Sequence, residues 1–398
     1  MAPARAQARE HGVSRVAATT GEAAALDPAP LVIPANAPEL QRNRALRERL
    51  EASPHSYFRG IGPRFMTLLC ERYAERVAGL PSVILHGDAH LEQYAVTDHG
   101  RGLTDFDDST EGSALIDLAR FATSVQLAVR ERAFTEGSSL IATFLRGYAR
   151  ALENPRGVAP EPALVRELRR GFEHDRLACL TRAEALMTPF PPDKAPSPET
   201  LERVASVLAV AAGRPVSFFR VKKLGTLGIG IGSAADERYL LRIDGPSSKE
   251  KDDVILELKE VRSLPEISCL RGEQGPTRIT VAQATLAYEP FSYVGYLEDK
   301  ERLGRGFWFH AWPDNYVELR VASVPSSQAL QEIVYDVGVQ LGRGHARPRK
   351  RSDAGTVRKA LAAALPKLDL VGLSAELADA SEEAWRRFRQ QSRPSPAP

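Results

Sequence analysis

Acidic, imidazole and amide side chains crowd one stretch, 83–118. H-G-D-A-H-L-E-Q presents His86, Asp88, His90 and Gln93, and L-T-D-F-D-D then adds Asp105, Asp107 and Asp108. Carboxylates this dense repel one another unless a cation or a proton donor offsets the repulsion. Phosphoryl transfer from ATP uses such a set. A base accepts a hydroxyl proton, an amide and a carboxylate hold the metal, and a lysine with a glycine-rich turn holds the phosphates. Asp88, Gln93 and Asp105, with Asp107 beside it, match the first group in type and order. The run G-I-G-I-G-S, with Gly228, Gly230, Gly232 and Ser233, and Lys259 in V-I-L-E-L-K-E-V match the second. A lysine in an apolar strand is costly to bury unless it is paired. A second reading uses His86, Asp88, His90 and Asp105 as metal ligands of a phosphohydrolase. It leaves the glycine run and Lys259 without a role. The bland reading is a pair of strand-end carboxylates making turns.

These groups need elements to hold them. Val83, Ile84 and Leu85 read as a buried strand that turns at Gly87. A helix is expected over 113–132, with Leu115, Leu118, Ala122, Val125 and Val129 on one face and Asp117 near its start. Further helices are expected over 39–51, 65–78, 138–152, 162–187 and 200–212. The stretch 188–198 holds five prolines and reads as a loop. Past residue 214 the pattern changes to strands: a hairpin around the glycine run, then 254–261, 307–312 and 316–321, with a helix at 277–288 between them. A helix follows over 327–345, with Leu330, Val334, Val337 and Leu341 on one face. The expected division is a disordered arm over 1–38, a mainly helical part over 39–213, a strand-rich part over 214–325, and helices with a polar tail over 326–398. The fold class is α+β.

Composition excludes several classes. The 398 residues are 43% hydrophobic, enough for a sizeable core, and the net charge of +2 gives no reason to expect a nucleic-acid or membrane partner. Cys70, Cys179 and Cys269 are odd in number and far apart, with no C-x-x-C pair. That pattern argues for a reducing compartment and against a disulfide or a zinc–thiolate site. No apolar run approaches the roughly 20 residues that span a bilayer. A cytoplasmic protein is expected.

The spacing of the central stretch resembles the aminoglycoside-phosphotransferase branch of the protein-kinase-like fold. That branch carries H-G-D-x-H-x-x-N, then I-D-F, then G-D-P-x-x-D-L-A. Here T-D-F-D-D-S-T-E-G-S-A-L-I-D-L-A runs in step from Asp105 through Gly112 to Asp117. The resemblance implies ATP and Mg²⁺ as cofactors, Asp88 as base, Asp105 as a metal carboxylate, and Asp117 as a buried carboxylate bracing the loop near His86 and His90. The chain more closely resembles a bacterial family, domain of unknown function 2252, from about residue 53 to 347. Its markers are S-P-H-S-Y-F-R-G, H-G-D-A-H-L-E-Q, D-F-D-D, G-I-G-S-A-A-D-E-R-Y, L-K-E-V and L-G-R-G-H-A-R. That family implies no activity. In kinases the glycine loop and lysine precede the catalytic loop, whereas here they follow it. The helix ending L-G-R-G-H-A resembles the one that leads into H-G-D. Together these imply a circularly permuted, kinase-like two-lobe fold with the helical lobe first. Departures stand beside the resemblance. Gln93 replaces the metal-binding Asn, G-S-A replaces G-D-P, and Val281 falls where an acidic partner for the lysine belongs. Glu289 and Glu266 are the alternative partners. These departures keep open a pseudokinase that binds nucleotide or a partner without turnover.

Overall fold

The computed structural model describes residues 25–189, 197–212, 215–227, 238–245, 247, 249–261, 263–272, 275–299, 305–347 and 353–391. The fold is α+β. Four short strands frame the acidic stretch: β1 (Ser82–Leu85), β2 (Tyr94–Thr97), β3 (Arg101–Leu103) and β4 (Thr110–Ser113). β1 pairs antiparallel with β4, so the H-G-D turn and the acidic turn leave the same end of one ribbon. β2 and β3 form a hairpin between those turns.

The larger sheet is antiparallel. It comprises β5 (Val221–Thr226), β6 (Arg238–Ile243), β7 (Val254–Val261), β8 (Gly295–Asp299) and β9 (Arg305–Ala311), in the order β5-β6-β7-β9-β8. A further strand, β10 (Tyr316–Glu318), pairs with β2 and joins this region to the helical part. Successive side chains of a strand point to opposite faces. In β7, Val254, Leu256 and Leu258 pack with Val204 and Leu208 of the helix Pro198–Ala212. Glu257 and Lys259 therefore point the other way, towards the acidic turn.

The main core lies among the helices Leu115–Glu131, Gly137–Glu153, Ser327–His345 and Leu370–Gln391. Expected single helices are broken in places. The stretch 39–51 divides at Asn43, whose side chain caps the Leu46 N–H of Arg44–Ala52. The stretch 65–78 divides at Tyr73 into Gly62–Arg72 and Ala74–Ala78. The stretch 162–187 becomes Ala163–Arg169 and Arg176–Ala185, the latter capped by Asp175. In each case a local cap or backbone break overrides a continuous apolar period.

Two expectations are corrected. The arm expected through residue 38 is packed from residue 25 onward: Leu31 is fully buried, and the Tyr57 hydroxyl accepts from the Ile33 N–H at 2.8 Å and donates to the Leu31 carbonyl at 2.9 Å. Cys70 and Cys269 are disulfide-bonded, with Cα atoms 5.8 Å apart and a separation of 199 positions in sequence. The bond ties the helix Gly62–Arg72 to the segment after β7, a proximity created only by folding. The cysteine argument for a reducing compartment falls with it. No helix among the described residues is long and apolar enough to cross a membrane.

The helices Gly137–Glu153 and Ser327–His345 approach backbone to backbone. A Cβ at Gly338 would collide with the Phe144 carbonyl, and one at Gly147 with that of Tyr335, whereas Gly355 has open space around it. Gly338→Ala is expected to destabilise the fold by about 1–3 kcal/mol through overpacking. Gly355→Ala is expected to be neutral or to stabilise by up to about 1 kcal/mol. Urea unfolding of both variants checks the contrast.

Candidate functional site

The H-G-D turn is built on Asp117. This carboxylate is fully buried at the start of the helix Leu115–Glu131. It accepts from the His86 N–H at 2.7 Å, the Gly87 N–H at 3.0 Å and His345 Nε2–H at 3.1 Å. His345 Nδ1 in turn accepts from the Tyr148 hydroxyl at 2.9 Å. Burial pushes the Asp117 carboxyl up, but the hydrogen bond from His345, with the bond from the His86 backbone, reverses that and holds it below its ordinary value. Gly87 has φ +82°, and a Cβ there would collide with the Asp108 carbonyl, so the turn requires glycine. His86 is a brace. Its Nε2 donates to the Thr104 carbonyl at 2.8 Å, its Nδ1 accepts from the Asp88 N–H at 3.3 Å, and its ring lies 5.1 Å from that of Phe106.

The turn delivers Asp88 into a ring of donors. Arg120 Nε donates to Oδ1 at 2.9 Å, and Arg120 Nη2 donates to the same oxygen. Gln93 Nε2 donates to Oδ2 at 3.1 Å, and His90 Nε2 lies 3.3 Å from that oxygen. Burial pushes the carboxyl up, but Arg120 and then His90 outweigh it, so Asp88 stays ionised well below the usual carboxylate range. His90 is itself neutral, because burial lowers it more than Asp88 raises it.

The acidic turn meets the sheet. Asp105 adopts φ +61°, an uncommon conformation for a residue with a side chain. Lys259 Nζ donates to Asp105 Oδ1 at 2.8 Å and to Asp107 Oδ2 at 3.2 Å. Trp308 Nε1–H donates to Asp107 Oδ1 at 2.9 Å, and the Trp308 ring lies 5.5 Å from the ammonium. Burial pushes Asp105 up, but Lys259 and Arg238 hold it well below its ordinary value. Asp107 takes the opposite course: burial and the neighbouring Asp105 charge push it up to about 6. Burial lowers the Lys259 ammonium, and the two aspartates more than restore it, so it stays charged. Beside it, Glu257 pairs with His310 Nε2 at 3.1 Å, and the His310 ring stacks on Phe291 at 4.0 Å.

Lys259 therefore has its partners in Asp105 and Asp107. Glu266 faces a different pocket, beside Leu264 and Ile267, and Glu289 lies by the β2–β3 turn at Gly100. Val281 is a half-buried residue of the helix Thr277–Leu286, and that helix contributes Arg278 to the turn instead, donating to the Asp107 and Ser109 carbonyls. The expected metal set is divided: Gln93 is bound to Asp88, and Asp105 and Asp107 are bound to Lys259. Among the described residues no group of three or more His, Cys, Asp or Glu side chains is arranged to hold a metal. The ring nitrogens of His86 are committed to backbone, which removes it from an H-x-D-x-H ligand set.

Asp88, Gln93, Asp105, Asp107 and Lys259 all line one cleft of about 920 Å³. Aromatic side chains Trp308, Trp312, Tyr316 and Phe291 line it as well. Gly228, Gly230, Gly232 and Ser233 lie outside the described residues, and Leu227 and Arg238, which bracket them, are part of the cleft wall. Sequence reasoning missed Arg120, Arg278 and Trp308. For Arg120 a signal exists: an arginine three residues after Asp117 inside the apolar run L-I-D-L-A-R-F must find a buried anion.

Residues 37–183 match a family described as an uncharacterized protein conserved in bacteria (DUF2252); the match holds S-P-H-S-Y-F-R-G, H-G-D-A-H-L-E-Q and D-F-D-D and does not reach the three later markers. The match contains Asp88, Asp105, Asp107, Asp117 and Arg120, and it ends before β5, so Lys259 and its sheet lie beyond it. No curated protein and no solved structure matches the chain.

The raised Asp107 has a pH signature. A carboxyl raised from 3.8 to about 6 binds its proton more tightly in the folded state. Its contribution is therefore fully present below about pH 4 and is lost as pH rises through about 6. Asp107→Asn removes that slope. The stability difference, wild type minus variant, is expected to fall by about 2–3 kcal/mol between pH 4 and about 7 and to stay level above that, as read by urea unfolding at stepped pH.

Proposed function

We propose that the protein is an ATP- and divalent-cation-dependent phosphotransferase of kinase-like, circularly permuted architecture, acting on a hydroxyl acceptor. One observation carries the reading: a buried lysine from the five-stranded sheet meets Asp105 across the same cleft that holds Asp88. The lysine comes from a part of the chain 154 positions away from the acidic turn, and its convergence with the acidic and H-G-D turns is what phosphoryl transfer requires. The permuted order is supported by His345, at the end of the helix Ser327–His345, which touches the loop brace Asp117. In the usual order that helix would feed directly into β1.

A divalent cation at Asp105 and Asp107 would have to displace Lys259, which binds both carboxylates in this structure. Asp105 and Asp107 would hold the ion, with the Gln93 amide within the same cleft. A bound cation there supplies neutralisation of phosphate charge. Lys259 binds phosphate oxygens, the aromatic wall takes the base, and Asp88 orients the acceptor hydroxyl and accepts its proton as transfer proceeds.

A pseudokinase is the second reading. It is favoured by the state of Asp88, both of whose oxygens are already engaged by protein donors. The phosphohydrolase reading loses its ligand set, because His86 is turned to backbone and Asp88 to Arg120.

Calorimetry with MgATP is expected to show micromolar binding by the wild type and its loss in Asp105→Ala and Lys259→Ala. Asp88→Asn is expected to lower transfer by about 100-fold or more while nucleotide affinity changes less than about twofold. Absence of binding by the wild type would overturn the proposal, and binding without turnover on any hydroxyl acceptor would select the pseudokinase.

A further inference from the structure

We infer that Arg120 is the positioning residue of this cleft, a buried guanidinium that fixes the plane of the Asp88 carboxylate and leaves Oδ2 as the oxygen turned towards Gln93. Its catalytic consequence rests on the phosphotransferase reading; its geometry does not. Arg120 is fully buried in the helix Leu115–Glu131. Its guanidinium carbon lies 4.3 Å from the Phe58 ring centre and 5.4 Å from that of Phe65, and Nη2 also donates to the Phe58 carbonyl at 3.2 Å. A further side closes at Gly62, where a Cβ would come within 3.3 Å of Nη2 and 3.5 Å of Asp88 Oδ1. The arginine thus has one seat, and its planar fork transmits that seat to the carboxylate in a way a point charge does not.

One turn of helix performs both halves of the task. Asp117 and Arg120 are three residues apart, so they project from the same face. The first holds the backbone of the H-G-D turn through His86 and Gly87, and the second holds the side chain that the turn presents. The other groups around Asp88 cannot replace it. His90 and Gln93 follow on the same loop and donate only to Oδ2, and His90 is neutral. From the helix Pro54–Gly60, His55 is held neutral by burial, down to about 3, and Arg59 is committed to Glu92 at 2.6 Å. Arg120 is therefore the one of these groups that grips Oδ1, and it sets the plane of the carboxylate.

The test compares Arg120→Lys, which keeps the charge and loses the fork, with Arg120→Met. In crystal structures of the variants the Asp88 carboxylate is expected to turn out of its wild-type plane while the Asp117 bonds to His86 and Gly87 stay in place. In transfer assays kcat is expected to fall about 10- to 100-fold in Arg120→Lys, with KM for MgATP changed less than about twofold. An Asp88 carboxylate that keeps its plane in Arg120→Lys would overturn the inference, as would an unchanged kcat. If Arg120→Met does not fold, Arg120→Lys decides. If the wild type transfers no phosphate, the phosphotransferase reading fails while the variant structures still decide the role of Arg120.

Discussion

A single ammonium group joins the sheet to the acidic turn. Lys259 is almost fully buried and stands between Asp105 and Asp107, with the Trp308 ring alongside. Removing these charges from water costs several kcal/mol per ion before any attraction is counted. The cluster is therefore weak evidence for stability. Remove the lysine, and two partly buried carboxylates lose the cation that bridges them, with Arg238 left 3.7 Å from Asp107; remove the carboxylates, and a buried lysine is left beside Glu257. The strand parity of β7, the left-handed backbone of Asp105 and the Arg278 grip on the turn all serve that one meeting.

The site has two electrostatic regimes within one cleft. Around Asp88, donors from Arg120, Gln93 and His90 meet both oxygens, and the carboxyl is ionised at rest. Around Asp107, burial and the Asp105 charge prevail over Lys259 and Arg238, and a proton remains until about pH 6. Two carboxylates of one cleft are thus pushed in opposite directions by their surroundings.

Much of this was legible in the sequence because it is local. Asp88, Asp105 and Asp117 belong to one 36-residue stretch, 83–118, whose strand–turn periodicity and spacing are written in adjacent residues. The α+β class followed from the change of period near residue 214. What was not legible depends on contacts between distant parts. Lys259 meets Asp105 across a separation of 154 positions, in a different segment from Val281, Glu289 and Glu266, where a partner was expected. The Cys70–Cys269 bond and the packing of residues 25–38 against Tyr57 are likewise products of folding, with no local signature. Helix breaks at Asn43 and Tyr73 were lost because an apolar period continues through them.

The disulfide closes a covalent ring from residue 70 to residue 269. Asp88, Asp105, Asp107, Asp117, Arg120 and Lys259 are all on that ring, whereas Trp308 and His345 are outside it. A single proteolytic nick anywhere on the ring, the proline-rich stretch 188–198 included, would open the loop without releasing a fragment. Both sides of the cleft would stay covalently attached to each other, although the backbone between Asp105 and Lys259 had been cut.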